Sequence, residues 1–85
     1  MKIKEGFVLR HVMDSDVVVD VTGKFSGVLK LNSTSADIWK YISEGSDIPE
    51  AAEKLSKEYN VSYEQALKDT ESFCAAMLQN KFFEE

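Results

Sequence analysis

The sequence predicts an α+β domain in which a three-stranded antiparallel sheet is followed by three helices. The hydrophobic period changes once, inside VLKLNSTSADIWKYI from Val28 to Ile42: Leu29 and Leu31 alternate with Val28 and Lys30 as in a strand, then Ile38, Trp39 and Ile42 recur at helical spacing. Ahead of this switch lie β-branched runs, FVLRHVM and VVVDV, which fit a pleated surface better than a helix. Behind it, polar capping residues stand before each apolar-periodic stretch. Sheet is therefore expected before the joint and helix after it.

The first strand is expected at about 7–13 and the second at about 17–21, joined through Asp14-Ser15-Asp16 as a polar turn. Thr22 to Gly27, with two glycines in TGKFSG, breaks the pattern before a third strand at about 28–31. Nothing later resembles a strand, so the meander is expected to keep one edge, that of the third strand, unpaired. Thr34-Ser35-Ala36-Asp37 reads as a capping box opening a helix at about 34–44 that stops at Gly45. Asp47 with Glu50 opens a second at about 48–59, in which Pro49 sits in the first turn without costing a hydrogen bond. Its stripe of Ile48, Ala51, Ala52, Leu55 and Tyr59 faces a core, while Glu50, Glu53, Lys54, Lys57 and Glu58 form a solvated face. Ser62 with Gln65 caps the third helix, at about 63–80.

The third helix carries more apolar surface than one core contact needs. Stepping about 100° per residue, its apolar residues fill an arc of roughly 140°. Ala66, Phe73 and Met77 lie on one edge. Leu67, Cys74 and Leu78, bordered by Glu71, lie on the other.

Composition excludes several function classes. Eighty-five residues make one domain, residues 1–85, burying roughly 60–65% of the surface of its unfolded chain. A hydrophobic content of 44% supports a core, and the absence of a long apolar run or a secretory signal predicts a cytoplasmic protein. One cysteine and one histidine neither form an internal disulfide nor supply a zinc-type ligand set, so no metal and no cofactor is expected. The net charge of −5 opposes a polyanionic partner. No phosphate-binding loop, no paired-histidine metal motif and no nucleophile beside His11 is visible, which points away from an enzyme. Cys74 reads as a small buried hydrophobe and Trp39 as a packing ring.

What remains is a binding architecture. An unpaired sheet edge exposes backbone N–H and C=O groups that accept an extended peptide as a further strand, and a neighbouring helix with surplus apolar surface supplies side-chain pockets. The alternative reading is an edge protected by Lys30 beside a helix whose apolar edges are both core.

The run LN-x-T-x-x-x-I-W, from Leu31 to Trp39, resembles the hallmark of the PqqD-like family. The resemblance continues through the Gly-Ser-Asp break, the acidic helix ending in Glu58-Tyr59-Asn60-Val61, and Asp69, Phe73 and Met77 ahead of the apolar pair Phe82-Phe83. Where the family has a glycine before that pair, this chain has Lys81. The resemblance implies a small winged helix-turn-helix fold and a role as a RiPP recognition element. Such a domain is a non-catalytic adaptor that captures the leader of a ribosomally made precursor peptide and presents it to a modifying enzyme, often a radical SAM protein. Carried over by position, Val28, Leu29, Lys30 and Leu31 are the expected strand edge, and Leu67, Glu71, Cys74 and Leu78 the expected helix wall. Ala66, Thr70, Phe73 and Met77 fall at the family's core positions. Glu71 at the lip favours a leader with basic residues.

Two other readings compete. A winged-helix DNA-binding regulator shares the helical topology, yet the third helix offers Lys68 against Glu64, Asp69 and Glu71. A structural subunit whose open edge pairs with itself would be a homodimer.

Overall fold

The structure, a computed structural model, describes residues 1–85. Its elements in order are β1 (Lys2–Ile3), β2 (Phe7–Val12), β3 (Ser15–Asp20), β4 (Leu29–Leu31), α1 (Ser33–Ser43), α2 (Ile48–Tyr59), α3 (Tyr63–Gln79) and β5 (Phe83–Glu84). A three-stranded antiparallel sheet, β2-β3-β4, is followed by three helices, the α+β class the sequence predicts. No helix is long and apolar enough to cross a membrane.

Strand register sorts the sheet into two faces. Leu9, Val18 and Leu29 stand in one row, and this row turns to the helices, with Val18 fully buried. Leu31, Ile38, Trp39 and Ile42 close the core beside it, joined by Ala51, Ala52 and Leu55 of α2 and Ala66, Cys74 and Met77 of α3. The neighbouring row, Arg10, Val17 and Lys30, points the other way because side chains alternate along each strand.

The first hairpin turns earlier than expected. Val12 pairs with Ser15, so the chain reverses at Met13-Asp14, and Ser15 and Asp16 belong to the strand rather than the turn. Pairing to bring Leu9 opposite Val18 decides the register, since a one-residue slip would send the buried set outward. Met13 takes a left-handed φ of 56° as a consequence.

The chain ends also depart from expectation. β1 and β5 form a small second sheet with Lys2 opposite Glu84 and Ile3 opposite Phe83, continued by a Lys4 N–H to Phe82 carbonyl bond of 2.9 Å. A strand does follow the helices, and it pairs with the N-terminus rather than with β4. Segments this short carry no hydrophobic period, which is why the pattern missed them.

Helix caps explain the boundaries. The side chain of Asn32, not Thr34, caps α1, accepting the Ser35 N–H at 2.8 Å. Asp37 is thereby released from the expected capping box and accepts the Tyr59 hydroxyl at 2.5 Å, tying α1 to the end of α2. Asp47 and Glu50 make the reciprocal box of α2, accepting at 2.9 and 3.1 Å. Ser62 caps α3 through the Gln65 N–H, while the Gln65 side chain donates to Asp69 instead of completing a box.

Phe82 and Phe83 dock on the core. Phe83 tilts against Trp39 at 5.2 Å between ring centres and meets Phe73 edge-on at 6.0 Å. Phe82 packs edge-on against Phe7 and Phe25. The chain reaches these positions through Lys81, whose φ of 66° lies in the left-handed region. A residue without Cβ holds that conformation free of strain, the physical ground for a glycine here.

Candidate functional site

β4 is the shortest strand of the main sheet and lies at its edge, bonded to β3 alone. Its inward side chains are spent on the core: Leu31 is buried and Leu29 half-buried, whereas Val28 and Lys30 are exposed. The outer backbone edge of Leu29 to Leu31 has no partner strand within the chain. Unpaired edge groups of this kind template a further strand.

A cleft opens where β4 ends. Asn32, Thr34, Ser35 and Ile38 line it from the joint and α1; Asp69, Ser72 and Phe73 line it from α3. Its polar rim comes from the caps just described, since Asn32 is engaged by Ser35 and Asp69 by Gln65. Its apolar floor is Ile38 with the half-buried Phe73, whose ring rests on Phe83. The third helix therefore presents its Asp69–Phe73 edge to the end of β4.

None of the four helix residues expected as the wall lines this cleft. Leu67, Cys74 and Leu78 are roughly 100–180° around α3 from Asp69, Ser72 and Phe73 at about 100° per residue. Leu78 instead borders a hollow with Ser46, Asp47 and Ile48 at the start of α2. Leu67 is half-buried against the core cluster, and Glu71 is exposed. Cys74 is 1% exposed, and burial pushes its thiol up to about 11, so it is an inert core residue. The structure places Leu29, Lys30 and Leu31 on the β4 edge with Val28 exposed just before it, and Leu67, Glu71, Cys74 and Leu78 do not line the cleft beyond that strand. Helix α2 turns Ala51, Ala52 and Leu55 into the shared core, and Leu78 lies beside the start of that helix.

Asp69 entered the sequence reading as a position of the family resemblance and as a charge opposing DNA binding, and Ser72 carried no signal there. Phe73 was placed in the core, and it is there in part, with one side of its ring left in the cleft. The available signal was the Gln65–Asp69 spacing, which ties a carboxylate along the helix flank. Trp39 is buried against Phe83, a packing ring, and His11 sits on β2 with its Nδ1 2.9 Å from an Asp16 carboxylate oxygen.

Comparison with curated proteins finds no match. Solved structures do resemble the chain. "TbiB1 in Complex with the TbiA(beta) Leader Peptide" superposes with a TM-score of 0.84 at 24% identity, covering 99% of this chain and 95% of that one. "Lasso peptide synthetase B1 complexed with the leader peptide" superposes with a TM-score of 0.79 at 20% identity, covering 93% and 91%. These likenesses establish the fold. A family model described as coenzyme PQQ synthesis protein D matches residues 12–82, from the first hairpin through all three helices to Phe82. The chain belongs to the PqqD family.

Proposed function

We propose that this protein is a leader-peptide-binding adaptor that takes the leader of a ribosomally made precursor as an added strand on β4 and hands the peptide to a separate modifying enzyme. The observation that carries the reading is the unpaired β4 edge ending in a cleft walled by Asp69, Ser72 and Phe73. Backbone bonding along Val28 to Leu31 supplies affinity without regard to sequence, and the cleft selects side chains at alternate positions. Phe73 and Ile38 favour an apolar anchor, and Asp69 at the rim favours a basic neighbour. Family membership supports the reading, as do two folds of the same kind described with leader peptides bound.

The role is non-catalytic and cytoplasmic in this reading. The one thiol, Cys74, is buried in the core and held protonated, which supports a packing role for it. DNA binding gains no support, because Lys68 is outnumbered on α3 by Glu64, Asp69 and Glu71. Titration of isotope-labelled protein with synthetic leader segments of candidate precursor peptides tests the reading. Amide shifts concentrated on residues 28–35 and 69–73 are expected; shifts that avoid both segments overturn it.

A further inference from the structure

The outer face of the β2-β3-β4 sheet has an unusual composition. Register places Val8 beside Val19, and Arg10, Val17 and Lys30 in one row across the sheet. Val12 continues the face and is 53% exposed. Val8, Val17 and Val19 are half-buried and stand outside the set packed on the core, on the strand parity opposite to Leu9 and Val18, with Val8 at the sheet margin beside a hollow that Ile3 and Trp39 also line. An antiparallel sheet with one packed face ordinarily alternates apolar inside with polar outside. Here the outward positions are chiefly valine.

The charge on this face is one-sided. Arg10 and Lys30 are its only ionisable side chains, although the chain carries −5 overall. The carboxylates of the same strands are on the opposite parity: Asp16 is occupied by His11, and Asp20 is folded into its own turn, accepting from the N–H groups of Thr22 and Phe25. A cationic, apolar face on an acidic protein calls for an apolar partner surface bearing carboxylates. A second copy does not meet that requirement. A two-fold axis through Val17 would set each Arg10-Lys30 row against its equivalent and bury like charges together.

We propose that this outer sheet face is the docking surface for the peptide-modifying enzyme, through a patch on that enzyme that is apolar and carries Asp or Glu. The inference rests on the peptide-binding reading above, and geometry connects the two. A strand added to β4 extends the same sheet, so alternate side chains of the bound peptide emerge on this face next to Lys30. An enzyme seated on Val8, Val17 and Val19 therefore meets the peptide at the margin of its own contact.

Calorimetric titration of the full chain with two separate titrants tests the inference: a purified peptide-modifying enzyme from the same genome, and the leader peptide. The variants are Arg10→Glu, which reverses the exposed charge, and Val17→Thr, which keeps the β-branched shape and removes the apolar character. Enzyme affinity is expected to fall about tenfold or more for Arg10→Glu and several-fold for Val17→Thr. Leader affinity is expected to stay within about twofold of wild type, which also shows that the variants fold. Unchanged enzyme affinity in both variants overturns the inference. So does a wild-type dimer by light scattering that Arg10→Glu dissociates, or binding of anionic phosphatidylglycerol vesicles, lost in Arg10→Glu, without binding of enzyme. Wild-type protein that binds enzyme but not leader refutes the peptide-binding reading and leaves the docking face standing.

Discussion

Placing the same large ring at two adjacent positions of α3 discriminates between its two edges. Ser72 is exposed and lines the cleft at the end of β4, whereas Glu71, about 100° around the helix, is exposed and outside it. Ser72→Trp brings roughly 150–250 Å² of aromatic surface into a cleft of about 460 Å³. One apolar anchor of the leader is then displaced, a contact that stabilises the complex by about 1.5–3 kcal/mol. The leader should bind about 10- to 150-fold more weakly. The fold should not suffer, because Ser and Trp have near-equal helix propensity and the position is not packed. Glu71→Trp should leave affinity within about twofold. Anisotropy of a fluorescently labelled leader measures both, with thermal unfolding as the control. If Ser72→Trp binds like wild type while Glu71→Trp loses affinity, the peptide lies on the Leu67–Leu78 edge and the cleft assignment fails.

Two predictions concern stability. Lys81 has a φ of 66° just after α3, so Lys81→Gly removes left-handed strain and should stabilise the fold by about 0.5–1 kcal/mol, a rise of a few degrees in Tm; a lower Tm would show that the Lys81 side chain contributes more than its backbone costs. Tyr59 donates to Asp37, and that hydrogen bond, with lesser effects of burial and of the Asp37 charge, pushes its hydroxyl up to about 12 from 10.0. A raised folded-state value means that the associated stability is complete below pH 10 and is lost as pH rises toward 12. Wild type should therefore lose stability across that window more steeply than Tyr59→Phe in urea unfolding at fixed pH values, and parallel profiles would show that the Asp37 bond does not persist in solution.

Much of the architecture was legible in local patterns. The strand alternation at Leu29-Lys30-Leu31, the helical recurrence of Ile38, Trp39 and Ile42, and the Asp47–Glu50 box all appear where their spacing predicts, because each arises from interactions within a few residues. Errors of detail came where neighbouring residues competed for one local role. Asn32 and Thr34 are both competent caps, and the choice of Asn32 leaves Asp37 free to meet Tyr59, a residue distant in the chain. Asp14-Ser15-Asp16 is a credible turn by composition, yet the pairing that buries Val18 shifts the reversal to Met13-Asp14.

By itself, then, the sequence determined the class of fold, the order of the main strands and helices and the presence of a strand at Leu29 to Leu31 ahead of the first helix, since periodicity and capping are short-range. Tertiary structure alone decided which edge of α3 lines the cleft beyond that strand. The helix is apolar on both flanks, so its wheel leaves the rotation open. Packing in three dimensions puts Asp69, Ser72 and Phe73 at the cleft, Cys74 in the core and Leu78 beside the start of α2. The same holds for the chain ends. Phe82 and Phe83 are merely two aromatic residues in sequence; the left-handed turn at Lys81 and the pairing of β5 with β1 carry them to Trp39, Phe73 and Phe7, contacts between residues too far apart in the chain for any local pattern to encode.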